Sequence, residues 1–247
     1  MHTISIFVDK NRMPKPASYF ECQTHLAKNL RNAANFIIRN LRTGLKKAPD
    51  TRTANENEVL ETVRIGIEMA NEKLLKDVDR LTKQLQSLPA DDPARTKIQK
   101  RIENKQKNHP SMPTSDHWML TYETLDAVMK NTKNPDYYAM PSQVNQQVLR
   151  KVLKDWKSYF EALALYRQNP ERFKSQPKQP GYIKTPYTTV TFTNQVAKRS
   201  DIRGKMYITF PRCLVPVCVG KPEGSYVRTE VKPCYGGYMI YVTFKDA

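Results

Sequence analysis

Glutamines and cations recur at helical spacing between residues 142 and 157, and these side chains are well suited to contact with a polyanion. The residues concerned are Gln143, Gln146, Gln147, Arg150, Lys151, Lys154 and Lys157. A glutamine amide can form paired hydrogen bonds with a base edge, and a cation can hold a phosphate. The run predicts a nucleic-acid-contacting surface. The alternative is an ordinary solvated helix face in which glutamine is a neutral helix former.

A basic, proline-rich connector follows at residues 169–186. Its prolines and cations are Pro170, Pro177, Pro180 and Pro186 with Arg172, Lys174, Lys178 and Lys184. This density of proline excludes a helix or a central strand. An extended basic chain can follow a sugar-phosphate backbone, and Tyr182 can stack on a base or ribose. The alternative is a surface linker between two packed modules.

Two long helices are predicted to position these groups. One carries a buried stripe at three- and four-residue steps, with Pro141 and Ser142 as its cap or first turn; the stripe is Val144, Val148, Val152, Trp156, Tyr159 and Leu163. The other runs from Tyr19 to Arg42 and ends at Thr43 and Gly44. Its outer face mixes amides and cations that can contact phosphates, or is plainly solvated; these residues are Lys28, Arg31, Asn32 and Asn35.

The overall charge favours a nucleic-acid partner. The chain has 41 Lys and Arg against 24 Asp and Glu, a net charge of +17. From residue 150 onward we count 18 basic and 7 acidic residues, which leaves 23 and 17 for residues 1–149, so the net charges are +11 and +6. A strongly basic chain binds polyanions more readily than acidic small molecules. No apolar run approaches membrane-spanning length, and no signal peptide is evident, so we expect a cytoplasmic, nucleoid-associated protein.

The remaining pattern predicts an α+β fold. Apolar residues at coiled-coil spacing from Glu56 to Leu88, a turn at Pro89–Pro93 and a helix from Ala94 to Lys107 indicate a helical hairpin, which either packs on itself or forms an oligomer interface. A shorter helix with Trp118 is predicted over residues 115–131. Period-two alternation then predicts strands at Thr3–Val8, Tyr187–Thr193, Met206–Phe210, Val215–Val219, Tyr226–Lys232 and Gly237–Phe244. One strand, a block of helices and a run of strands suggest a small β-barrel with a helical insertion.

No catalytic or metal-binding constellation is evident in the sequence. The four cysteines form no CxxC pair, and no histidine stands at zinc-ligand spacing. There is no Ser/His/Asp set, phosphate-cradling glycine loop or HExxH motif. We therefore expect no catalytic residues, no metal site and no cofactor in this chain.

Four segments resemble the TnpB family, the transposon-encoded RNA-guided nucleases related to miniature type V CRISPR effectors. They are KNLRNAANFIIRN (Lys28–Asn40), YYAMPSQVNQQVLRKVLKDWKSYFEAL (Tyr137–Leu163), FKSQPKQPGYIK (Phe173–Lys184) and VTFTNQ (Val190–Gln195). They occur in the family's order and roughly its spacing. The resemblance says little about residues 50–110.

The resemblance implies a wedge barrel with an inserted recognition lobe. Residues 1–12 would be the first wedge strand, 13–168 the helical recognition lobe with the hairpin at about 56–107, 169–186 the connector and 187–247 the remaining wedge strands. Gln146 and Thr193 fall where the family has residues that read a transposon-adjacent DNA motif. Ser142 stands where some relatives carry a motif-reading lysine, and Asn194 and Gln195 complete the expected contact set. The implied partners are a guide RNA, double-stranded DNA and the RNA–DNA heteroduplex.

The RuvC-like nuclease half of the family, with its divalent metals and zinc ribbon, has no counterpart in these residues. The chain stops at YMIYVTFKDA, about where the first nuclease strand would begin. We therefore expect that this chain does not cut DNA, and that it is either a fragment or split gene product or a protein that binds without cleaving. Two other functions remain open: an RNA-independent DNA-binding protein or repressor of a mobile element, and a non-specific RNA-binding scaffold.

Overall fold

The computed structural model describes residues 1–107, 109–116, 119–213 and 215–246. Its helices are α1 (Pro14–Lys46), α2 (Ala54–Ser87), α3 (Ala94–Lys107), α4 (Tyr122–Asn131), α5 (Pro135–Ala139) and α6 (Ser142–Gln168), with short 3-10 turns at Pro49–Thr51 and Pro170–Arg172. The strands are β1 (His2–Asp9), β2 (Val190–Thr193), β3 (Lys198–Ile202), β4 (Lys205–Thr209), β5 (Val217–Gly220), β6 (Ser225–Cys234) and β7 (Gly237–Lys245). The α+β class is confirmed.

The strands form two antiparallel sheets. One has the order β1-β7-β6-β2 and the other β3-β4-β5. In the register of the larger sheet, Val8 pairs with Tyr238 and Ile6 with Ile240, so that alternate side chains of β7 enter the core. Among the described residues, no hydrogen-bonded ladder joins the two sheets into a closed barrel.

By density of contacts the chain divides into two compact units. The sheet unit contains residues 1–36 and 133–247, and the helical unit contains residues 37–132. In the sheet unit, Phe20 of α1 packs edge-on against Phe210, with ring centroids 5.0 Å apart, and Phe210 lies 4.9 Å from Phe192 of β2. These rings are fully buried, so this aromatic cluster joins α1 to the strands.

The helical unit contains the predicted hairpin. The first half of α2 packs on α4 at Gly66, where an added Cβ would lie 2.4 Å from Val128 Cγ2. The second half packs on α3 through Leu81, Ile98 and Ile102. The N-terminus of α2 is stabilised by a capping box in which Thr53 and Glu56 satisfy each other's backbone N–H groups.

Several element boundaries differ from the prediction for identifiable reasons. Helix α1 continues through Thr43 and Gly44 to Lys46, since a helix tolerates a single glycine at a cost of about 1 kcal/mol. Glu56 Cβ lies 3.2 Å from the position that a Cβ at Gly44 would take. Strand β3 was missed because its burial lacks alternation and it depends on pairing with β4. The short helix starts at Tyr122, and Trp118 lies outside the described residues.

Candidate nucleic-acid interface

The N-terminus of α6 and the end of β2 meet at a glutamine junction, formed by Gln143, Thr193 and Gln195. The Thr193 hydroxyl donates to Gln143 Oε1 at 3.1 Å, and Gln143 Nε2 donates to Gln195 Oε1 at 2.9 Å. Thr193 is the last residue of β2, and Gln143 lies in the first turn of α6, which begins at Ser142. The junction thus brings together residues of two segments that are 50 positions apart.

The strand side of the junction is anchored by Asn194. Its backbone N–H donates to Val227 O at 3.1 Å, and its Nδ2 donates to Tyr226 O at 3.4 Å. Asn194 is therefore bonded to β6, where it holds the end of β2 and so fixes the positions of Thr193 and Gln195.

Helix α6 continues the polar surface away from the junction. Gln146 and Gln147 are half-buried, and within the described residues neither amide has a hydrogen-bond partner. Further along, Arg150, Lys151 and Lys154 are exposed. The opposite face is the predicted buried stripe, with Trp156 fully buried and only Tyr159 half-buried. The burial of the stripe directs the amides and cations outward, since the two faces are about half a turn apart.

The end of the connector is held along α1 as a strap, residues 180–188. The strap runs antiparallel to the helix: Pro180 O accepts from Asn35, Pro186 O lies 3.1 Å from His25 Nδ1, and the Tyr187 hydroxyl donates to Glu21 at 2.6 Å. The 14 residue steps from Glu21 to Asn35 rise about 21 Å along the helix, and the seven steps from Pro180 to Tyr187 span about 22 Å at the rise per residue of an extended polyproline chain. One extended residue therefore matches two helical residues, which lets the contacts recur along the helix.

Asn32 makes the most complete strap contact. Its Oδ1 accepts the Ile183 N–H at 2.8 Å, and its Nδ2 donates to Ile183 O at 3.0 Å. This is the pairing that a neighbouring β-strand would offer to an extended residue, supplied here by a side-chain amide. From the sequence, Asn32 is predicted to contact a nucleic-acid backbone or to lie on a solvated face, whereas its amide bonds the backbone of the protein.

Asn35 and Arg31 also differ from the sequence expectation. Asn35 is only 3% exposed, and its Oδ1 accepts from Trp156 Nε1 at 2.9 Å while its Nδ2 donates to Pro180 O at 3.2 Å. Burial and these bonds remove it from contact with phosphate. Arg31 is half-buried and pairs with Asp155 of α6 at 2.6 Å, so its charge is compensated within the protein.

The cations of the connector remain at the surface. Lys174, Lys178 and Lys184 are exposed, as is Tyr182, and in the described residues none of the three lysines forms an ion pair. Lys28 is half-buried and donates to Asn29 Oδ1 at 3.2 Å. The strap contacts therefore fix the backbone at residues 180–188, while Tyr182 and Lys184 within it are outward-facing.

A charged cluster supports the C-terminal end of the strap. The Tyr187 hydroxyl and Lys10 both reach Glu21, which holds the pKa of that carboxyl below its ordinary value, with the tyrosine bond the larger cause. The same bond raises the pKa of Tyr187. Sequence reasoning missed Lys10, Glu21 and Tyr187 because no local pattern links residues 166 positions apart.

The described residues contain neither a metal-binding cluster nor a membrane-spanning helix. No group of three or more His, Cys, Asp or Glu side chains in the described ranges is arranged to hold a metal ion. None of the described helices combines the length and apolar composition needed to cross a bilayer.

No protein-family model matches this chain, and no curated protein matches its sequence.

Proposed function

We propose that the chain is the nucleic-acid-binding module of a TnpB-like, transposon-encoded RNA-guided system. It binds a guide RNA and a short motif in duplex DNA beside the target, and it does not cleave. Its strands act as a wedge of the interrupted-barrel type, and its helices act as the recognition lobe. Target sequence is read by the RNA through base pairing, while the protein reads the adjacent motif.

The glutamine junction is the observation that carries this proposal. Gln143 bonds Thr193 directly, so the helix and the strand that bear the two residues expected to read the motif present one surface. Gln146 lies one turn beyond Gln143 with an amide that makes no protein hydrogen bond in the described residues. An amide of this kind can pair with the N6 and N7 of adenine.

The surrounding charges fit the same partner. Lys151 and Lys154 extend from the junction along α6, and within the described residues neither is ion-paired. Pro180 and Gly181 lie beside Val152 and Asp155 in a shallow cleft, which brings the connector against the flank of α6. Cations on both segments can hold phosphates while the amides face base edges.

The experiment is a selection from a duplex DNA library with a randomised six-base-pair segment. The full chain is tested alone and with RNA co-purified from cells that express the gene together with its flanking sequence. We expect one motif to be enriched only when the RNA is present. Enrichment by the protein alone would favour an RNA-independent DNA-binding protein, and no enrichment in either arm would refute motif reading.

Substitutions then assign the reading residues. Gln146→Ala is expected to reduce discrimination at one motif position by about 1–3 kcal/mol, the usual range for a bidentate base contact. Thr193→Val keeps the shape of the side chain but removes the hydroxyl bond to Gln143, so it tests whether the junction must be intact. Lys83→Gln, a charge change on an exposed residue of α2 that pairs with Asp79 at 2.9 Å, is the control.

A further inference from the structure

The outer face of α3 carries a basic stripe, defined as Lys97, Lys100, Arg101 and Lys107. All four side chains are exposed, while Ile98 and Ile102 on the opposite face are buried in the seam with α2. Within the residues that the structure describes, no carboxylate forms an ion pair with any member of the stripe. The stripe is therefore an uncompensated positive surface on a packed helix.

The two other cations of α3 have structural partners. Arg95 donates to Leu85 O and Leu88 O, both at 2.8 Å, and so satisfies carbonyls at the C-terminus of α2. Lys105 pairs with Asp77 of α2 at 3.1 Å. These contacts fix α3 on α2, and they separate the cations that build the hairpin from the four that do not.

Helix α2 shows what a balanced solvated face looks like in this protein. Arg64 pairs with Glu61 and Glu68, Arg80 with Asp77 at 3.2 Å, and Lys83 with Asp79 at 2.9 Å, all at three- or four-residue spacing. Such pairs stabilise a helix, and in each of them a carboxylate compensates the charge of a cation. Helix α3 has one acidic residue, Glu103, against six cations. Ion pairs within the helix therefore cannot compensate its positive charge.

The arrangement of the stripe fits duplex DNA. At 3.6 residues per turn, Lys100 and Lys107 lie opposite the buried Ile98 and Ile102, and Lys97 and Arg101 lie to one side of them. The stripe is about 15 Å long, and a helix about 10–12 Å wide fits the B-DNA major groove, which is about 12 Å wide. The major groove of A-form RNA is too narrow for a helix. Helix α3 contains no aromatic residue, so it offers no stacking platform for single strands.

We propose that the outer face of α3 binds the major groove of duplex DNA, with the cations of the stripe contacting backbone phosphates. The contact adds affinity that does not depend on sequence. This inference rests on the proposed function, because it gives a second surface to the same class of ligand. The surface belongs to the helical unit and is separate in the chain from the glutamine junction.

The test compares two triple variants of the full chain. The stripe variant is Lys97→Gln/Lys100→Gln/Lys107→Gln. The control variant is Lys76→Gln/Arg80→Gln/Lys83→Gln, which removes the same charge from the exposed face of α2 that points away from the α3 seam. Binding to a 24-base-pair duplex DNA of arbitrary sequence is followed by fluorescence anisotropy between 50 and 200 mM salt. Thermal unfolding checks that both variants fold.

The expected result is a change in salt dependence. Each phosphate contact contributes about 0.9 to the slope of log affinity against log salt, so losing three lowers the slope by about 2.7. Over the fourfold salt range, wild-type protein should then lose about 40-fold more affinity than the stripe variant. The control variant should keep a slope close to that of the wild type.

Three contrary results are possible, and each overturns a different claim. Equal slopes for the stripe and control variants, with wild-type binding intact, would overturn the stripe and leave the proposed function standing. An equal loss of slope on duplex RNA or single-stranded DNA of the same sequence would overturn the assignment to a B-form groove. A wild-type chain that binds no nucleic acid at 50 mM salt would overturn the proposed function itself.

Discussion

Asn32 of α1 makes two hydrogen bonds to Ile183 of the strap, and Asn32→Ala removes both. These bonds are 2.8 and 3.0 Å long and lie in a half-buried position. A hydrogen bond contributes about 1 kcal/mol net, so the pair contributes about 2 kcal/mol to docking of the strap. That free energy corresponds to about a 30-fold rise in the population of the undocked strap.

Native-state proteolysis measures this population directly. The Lys184–Thr185 bond follows Ile183 and is a trypsin site, and cleavage there requires the strap to leave the helix. When opening is fast relative to cleavage, the cleavage rate follows the open population. We expect cleavage after Lys184 to be about 30-fold faster in Asn32→Ala. Hydrogen exchange at the Ile183 amide, whose acceptor is Asn32 Oδ1, should accelerate in parallel.

Two further variants make the result specific. Asn29→Ala removes an amide one turn away that bonds Asp136 and, within the described residues, makes no hydrogen bond to the strap, so it should leave cleavage after Lys184 unchanged. Asn32→Asp keeps an acceptor for the Ile183 N–H but loses the donor to the Ile183 carbonyl. Its rate of cleavage after Lys184 should therefore lie between those of the wild type and Asn32→Ala. Equal cleavage rates in Asn32→Ala and Asn29→Ala would show that the strap is held by other contacts.

Two other predictions concern the helical unit. Gly66→Ala should destabilise it by about 1–3 kcal/mol despite the better helix propensity of alanine, because the new Cβ would lie 2.4 Å from Val128 Cγ2; denaturant unfolding measures the loss, and adding Val128→Ala should recover part of it. Bonds from Lys47 and the Thr53 backbone lower the pKa of Glu56 to about 2 from 4.5. The ionised carboxylate therefore stabilises the folded chain fully above pH 4.5, and this contribution to the free energy of unfolding is lost as the pH falls towards 2. The unfolding temperatures of wild type and Glu56→Gln should converge as the pH falls from 4.5 to 2. A difference in unfolding temperature that stays the same from pH 6 to pH 2 would contradict the stabilising role of the Glu56 carboxylate.

Much of the architecture could be predicted from local pattern. The hairpin of α2 and α3, the buried stripe of α6 and most strands follow from apolar residues at periods of 3.6 or 2, and these periods act within one element. Elements that depend on a distant partner are harder to predict from the sequence. Strand β3 has no alternation and forms through its ladder with β4, and residues 187–189, predicted as strand, belong instead to the approach to β2.

The candidate site divides in the same way. Amides and cations with outward positions on α6 could be predicted, because an amphipathic helix fixes which side chains leave the core. Two of the expected contacts on α1 changed role: Asn32 and Asn35 hold the strap, and Asn35 also accepts from Trp156. The basic stripe of α3 is visible in the sequence as composition, but only the packed hairpin shows that no carboxylate of the described residues pairs with it.

By itself, the sequence determined the charge, the periodicity of the helices and strands, and the residue types able to contact nucleic acid. These depend on side-chain chemistry and on neighbours within one or two turns. Tertiary structure alone decided which polar groups are occupied within the protein and which remain at the surface. Asn32 meets Ile183 across 151 residues, and Gln143 meets Thr193 across 50. A hydrogen bond depends on distances within about 3.5 Å and on direction, and only the packed chain sets these between distant residues.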